Sequence, residues 1–137
     1  MANEAVIIEL PESETPIYYT CADGTNISRM TLLKLTDPRT ASASTAKGDY
    51  FAGIAYADKV ANDGSTRIGA YVRGIFDLTA NDTITAGQLV VLSGANLICA
   101  ATPTSLSGQN LGLAVGKALE SSAAGTSEAI AVAIGVY

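Results

Sequence analysis

Residues 66–78, Thr-Arg-Ile-Gly-Ala-Tyr-Val-Arg-Gly-Ile-Phe-Asp-Leu, decide how the chain is to be read. Taken alternately, one register gives Thr66, Ile68, Ala70, Val72, Gly74, Phe76 and Leu78; the other gives Arg67, Gly69, Tyr71, Arg73, Ile75 and Asp77. One face is apolar and the other mostly polar at period two, the pattern of a half-buried strand. The run exceeds the usual strand of about 5–6 residues. Gly69 and Gly74 therefore mark the expected places for a bend or bulge, since glycine inside a strand pattern tolerates both.

Working outward, the same period recurs. Strands are predicted at residues 5–10, 17–21, 30–36, 50–57, 89–92, 97–101, 111–118 and 128–137. Turn signals separate them: Asp23-Gly24, Asp37-Pro38, Asn62-Asp63-Gly64, Asn81-Asp82, Ala86-Gly87 and Gly94-Ala95-Asn96. Residues 40–48 and 102–110 read as loops and 121–127 as a connector, because they are small, polar and without period. Any helix is confined to a short piece around 118–124. Several strands, such as 128–137, set a branched face (Ile130, Val132, Ile134, Val136) against an alanine–glycine face (Ala129, Ala131, Ala133, Gly135) that admits close approach. The fold class is all-β: a small antiparallel β-barrel or β-sandwich at residues 26–137, preceded at 1–25 by an extended N-terminal arm and a first short strand. Pro11 and Pro16 bound the acidic tract of that arm; each fixes its own φ and lacks a donor.

Composition agrees. At 137 residues the chain is one domain's length, and 48% hydrophobic against 15% charged residues specifies a well-cored globule. Net charge is −5 with no basic cluster, so neither a phosphate backbone nor an anionic membrane surface is an expected partner. The first residues lack a basic n-region and a long apolar run, so no secretory signal is expected. Cys21 and Cys99 are expected as free, buried thiols. Asn26 and Asn81 head glycosylation-type triplets but read as turn residues.

Reactive chemistry is sparse. The chain has no histidine, which removes the commonest general base and metal ligand. Gly112–Ala118 resembles a phosphate loop only loosely: it is one residue short between glycines, and Ala118 stands where a hydroxyl belongs. Asp58, Asp63, Asp77 and Asp82 lie near turns without the spacing of a calcium loop. No catalytic, cofactor-binding or metal-binding residues are expected, no cofactor is implied, and the chain is not expected to be an enzyme.

One likeness comes from the order of segments. Thr31-Leu-Leu-Lys-Leu-Thr-Asp-Pro-Arg39, Phe51-Ala-Gly-Ile-Ala55, Tyr71-Val-Arg-Gly-Ile-Phe-Asp-Leu78, Ile84-Thr-Ala-Gly-Gln-Leu-Val-Val-Leu92 and Leu113-Ala-Val-Gly-Lys-Ala-Leu119, closed by an apolar C-terminal strand, resemble the head decoration (capsid cement) proteins of tailed bacteriophages. The likeness runs from about residue 26 to 137 and leaves out the arm. It implies a structural virion protein on the outer surface of an assembled capsid, made in the host cytoplasm. The implied partners are the major capsid protein and itself, as a homotrimer bridging neighbouring capsomers. Acidic charge suits the outside of a shell better than its DNA-facing lumen.

An extended arm suits strand addition to a neighbouring subunit. The residues expected at the capsid or oligomer interface are therefore Val6, Ile7, Ile8, Leu10, Pro11, Pro16, Ile17, Tyr18 and Tyr19. Removing residues 1–16 is expected to weaken attachment more than it weakens the fold. The competing reading is a carbohydrate- or ligand-binding β-domain of a virion or cell-surface accessory protein, with Tyr18, Tyr19, Tyr50, Tyr56 and Tyr71 available for stacking on sugars.

Overall fold

The computed structural model describes residues 3–11, 15–101, 112–123 and 127–135. The expected loop at 102–110, the middle of the acidic tract and of the 121–127 connector, and Val136 lie outside the described residues. The described residues form eleven strands: β1 Val6–Glu9, β2 Ile17–Thr20, β3 Leu32–Asp37, β4 Thr40–Ala43, β5 Phe51–Ala55, β6 Arg67–Tyr71, β7 Gly74–Ala80, β8 Leu89–Gly94, β9 Leu97–Ala100, β10 Ala114–Ala118 and β11 Glu128–Ile134. The all-β class is as expected, and no α-helix forms among the described residues. Gly112–Ala118 is largely strand β10, not a phosphate loop.

The 66–78 run is two strands, not one. It breaks at Val72-Arg73, and Gly74 takes φ +136°, a conformation open to glycine and costly to other residues. Of the two expected hinges only Gly74 bends; Gly69 stays inside β6. The consequence is a change of sheet. β6 belongs to a closed barrel ordered β2-β4-β3-β5-β6, and β7 opens a second sheet ordered β1-β7-β11-β10-β8-β9 that closes on itself where β7 pairs with β9. Two five-stranded barrels, I (β2–β6) and II (β7–β11), thus stand where a single barrel or sandwich was expected.

The barrels repeat each other. In chain order, each pairs its first strand with its third in parallel and with its fifth antiparallel; the second strand pairs with the third and fourth. Registers match as well. The hairpin pairs Leu33↔Ala43, Lys34↔Ser42, Leu35↔Ala41 and Asp37↔Thr40 recur as Val90↔Ala100, Val91↔Cys99, Leu92↔Ile98 and Gly94↔Leu97, with a bulge at the same step. The parallel closure Thr20↔Thr40 recurs as Thr79↔Leu97, and the isolated bridge Ile27↔Lys59 as Ile84↔Ser122. Met30, with φ +70°, donates to the Ala55 carbonyl as Gly87, with φ +96°, donates to that of Ala118. The chain is an internal tandem of one barrel topology.

Core positions follow the same equivalence. Barrel I buries Ile27, Leu33, Ala41, Ala52, Ile68 and Ala70; barrel II buries Ile84, Val90, Ile98, Val115, Ile130 and Val132 in their places. Three alanines of barrel I leave room that Tyr19 enters from β2, donating its hydroxyl to the Ala52 carbonyl at 2.9 Å. The barrels are joined by Met30, Leu32, Ile54 and Tyr71 of barrel I, which pack in one cluster with Phe76, Leu78 and Ile134 of barrel II. Polar groups seal the joint: Asn96 Oδ1 accepts from the Leu32 amide at 2.9 Å, and the Ser44 hydroxyl donates to the Gly94 carbonyl at 3.0 Å. Residues 40–48, expected as a loop, hold β4, because its pairing with β3 follows from the Pro38-Arg39 turn rather than from its own weak pattern.

Candidate functional site

The expected arm is hydrogen-bonded into the fold. β1 pairs with β7 (Val6↔Asp77, Ile7↔Phe76, Glu9↔Ile75), and the Ala5 amide donates to the Met30 carbonyl at 2.9 Å. Its own chain, not a neighbour's, provides the sheet to which this strand is added. Ile7 and Leu10 pack against the main core, whereas Val6 and Ile8 face outward at 58% and 49% exposure. Pro11 is exposed and, with Leu10, Glu9, Gly74, Ile75 and Ile134, lines a shallow groove of about 260 Å³ at the ends of β1, β7 and β11.

β2 carries the other expected residues and divides them. Tyr19 points into barrel I, while Ile17 and Tyr18 are exposed at 43% and 42% and Pro16 is half-buried. Gly69 on β6 stands opposite Tyr18, and a Cβ there would lie 3.2 Å from the Tyr18 ring, 3.4 Å from Pro16 and 3.5 Å from Tyr56. A bare backbone thus lets three flat side chains gather over one point. Tyr56 continues inward, edge to face with Tyr71 at 5.2 Å, and Tyr71 meets Phe76 at 5.6 Å. Of the five tyrosines proposed for sugar stacking, Tyr18, Tyr50 and Tyr56 are exposed, Tyr71 is buried and Tyr19 is turned inward.

Two arginines complete this patch, and the sequence reading missed both. The Arg67 guanidinium lies 4.1 Å from the centre of the Tyr18 ring, a cation–π distance, and Arg39 Nη2 donates to the Tyr18 carbonyl at 3.1 Å. With Tyr19, Thr20 and Thr66 they line a recess of about 400 Å³ on the outer side of β2. Among the described residues neither guanidinium is ion-paired, although the chain holds thirteen acidic residues. Arg39 sits in the β3–β4 turn and Arg67 opposite Thr20, so only barrel closure brings them together; nothing in the linear spacing announces it.

The aspartates have structural partners. Lys59, almost fully buried, donates through Nζ to Asp63 Oδ1 at 2.8 Å, Asp23 Oδ1 at 3.3 Å and the carbonyls of Val60 and Asp23. Desolvation lowers the Lys59 pKa, but the hydrogen bonds and charges of Asp63 and Asp23 outweigh it and raise the group above its ordinary value. The Lys59 hydrogen bond and the Ser65 amide hold Asp63 down to about 2. Asp58 accepts from the Arg29 amide and Asp82 from the Thr83 amide; Asp77 lies on β7 opposite Val6. Asn26 accepts from the Ala61 amide and Asn81 from the Ser93 hydroxyl, turn roles as expected. Cys21 and Cys99 are free and buried, and burial raises both thiols above their ordinary pKa. No group of three or more potential metal ligands occurs among the described residues, and no helix is long and apolar enough to cross a membrane.

Fold and surface together define a class: a tandem of small closed β-barrels with an aromatic–arginine patch on the first and an added N-terminal strand on the second. This architecture is similar to that of the head fiber gp8.5 N base of bacteriophage phi29, with a TM-score of 0.54 and 15% sequence identity over 88% of this chain and 93% of that one. At that identity the likeness is one of fold. No family model and no curated protein matches the sequence.

Proposed function

We propose that this chain is a structural protein of a tailed-phage head that seats on the outer surface of the assembled capsid. Its partner there is the major capsid protein, and it acts as a homotrimeric cement that bridges neighbouring capsomers and stabilises the shell. The observation that carries this reading is the near end-to-end fold likeness to a protein whose description places it at the base of a phage head fiber. The surface supports it. Tyrosine and arginine are, with tryptophan, the residue types enriched at binding hot spots, and Tyr18, Tyr56, Arg39 and Arg67 share one side of barrel I. The net charge of −5 suits a surface facing away from packaged DNA.

Cementing would work through avidity. A standard interface buries only about 1,200–2,000 Å². A trimer engaging several capsid subunits makes each later contact intramolecular, which raises apparent affinity by roughly 10²–10⁴. The test is co-sedimentation of the purified chain with assembled capsids. The reading expects saturation at a copy number fixed by the lattice, and it is lost if the chain stays at the top of the gradient.

A further inference from the structure

The internal repeat supplies a comparison that the chain makes with itself. β2 in barrel I and β7 in barrel II are equivalent strands, with Ile17, Tyr18 and Thr20 at the places of Phe76, Asp77 and Thr79. On β7 the edge at residues 75–77 is filled by β1. On β2 the corresponding edge at 16–18 carries no strand among the described residues, since β4 touches β2 only at Thr20. Exposure differs too: Phe76, which lies opposite β1 and within the joint between the barrels, is 0% exposed, while Ile17 is 43% exposed. The Tyr18 carbonyl at this edge is held by a side chain, Arg39 Nη2.

Barrel II also shows what the slot selects. Asn96 and Ala129 stand where barrel I has Arg39 and Arg67. Among the described residues, the open slot is flanked by two guanidiniums without ion-pair partners, one of them steadied on the Tyr18 ring, and its counterpart on β7 is not. A planar guanidinium matches a carboxylate in geometry and charge.

We infer that the β2 edge at residues 16–18 receives an extended, carboxylate-bearing segment of a partner protein, added antiparallel in the register β1 keeps on β7, with its acidic side chain held by Arg39 and Arg67. Backbone pairing supplies general affinity, and the arginine pair supplies selectivity for the acidic residue. The inference rests on the repeat and not on the virion reading, and its test contains no capsid.

The experiment titrates the isotopically labelled full chain with an acetylated pentapeptide alternating valine and glutamate, followed by amide chemical shifts and hydrogen exchange. Shifts are expected at residues 17–20 and slowed exchange at the Tyr18 amide, the N–H that faces the open edge beside the Thr20 amide already bonded to Arg39, with β7 amides unmoved. Replacing the peptide's glutamates by glutamine should weaken binding about tenfold or more, and the double variant R39Q/R67Q should do the same. The glutamine peptide leaves the protein untouched, so the inference stays testable even if that variant folds poorly. No shift at β2 up to about 10 mM peptide, a range that reveals even millimolar binding, would overturn it. So would equal binding of the glutamine peptide. A uronic-acid oligosaccharide that shifts the same recess more strongly, without protecting β2 amides, would also overturn it in favour of a glycan site.

Discussion

Lys59 shows how one buried charge can organise a barrel end. Its ammonium reaches the 23–24 turn and the 60–63 turn at once, so both loops hang on one side chain. Asp63 is held near pKa 2, below its ordinary 3.8, so its contribution is complete above about pH 4 and is lost as the pH falls through 2. Lys59 is shifted the other way and contributes until the pH rises past its ordinary 10.5. Lys59→Met should lower the melting temperature at pH 7 by roughly 5–10 °C. Asp63→Asn should flatten the loss of stability between pH 4 and 2; an unchanged acid limb on thermal melts would refute the assignment. Gly74 is the second decisive residue. A Cβ there would lie within 3.0 Å of Leu10, the Glu9 carbonyl and Phe76, at φ +136°. Gly74→Val should cost about 2–4 kcal/mol in denaturant unfolding. The bend was legible in the sequence because glycine interrupts a run too long for one strand. Lys59 was not, since a lone lysine beside turn residues looks like any solvated charge.

At the scale of elements, the strands with strong period-two patterns were readable and β4 was not. Thr40-Ala-Ser-Ala43 has almost no amphipathic signal, and its strand state is imposed by the turn before it and the β3 edge beside it. β1 was readable as a strand but not in its destination. Alternation cannot say whether an edge is filled by the same chain or by another. Its docking on β7 also changes what truncation tests: removing residues 1–16 takes away Ala5, Ile7 and Leu10, which pack in or against the core, and is expected to lower the stability of the fold as well as any attachment. The surface contribution is isolated instead by Val6→Ser with Ile8→Ser, whose side chains face outward. Stability should stay within about 0.5 kcal/mol, while capsid attachment, measured by co-sedimentation, should weaken about tenfold if this face meets the shell.

At the scale of the whole molecule, the repeat was hidden by divergence. Between residues 27–43 and 84–100 only Ile27/Ile84, Leu32/Leu89, Leu35/Leu92 and Ala43/Ala100 are identical, all of them apolar and common. Topology preserved what side chains did not, because registers and bulges are set by backbone pairing while volume is traded between neighbours, as Tyr19 compensates for three alanines. The barrels are coupled through Asn96, whose Oδ1 satisfies a buried amide of the other unit. Asn96→Ala should cost about 1–3 kcal/mol and, if the units fold together, should lower a single unfolding transition without splitting it. The candidate patch belongs to this scale too, since Arg39, Arg67, Tyr18 and Tyr56 meet only once barrel I closes.

Adhesion to a repeating shell is the property on which the proposed function depends. The most direct measurement is the melting temperature of assembled capsids against increasing amounts of this protein, with bound copies counted at each step. Adhesion of this kind should give a rise that levels off when bound copies reach a number set by the lattice symmetry. Capsids that melt at the same temperature with no protein bound would contradict it.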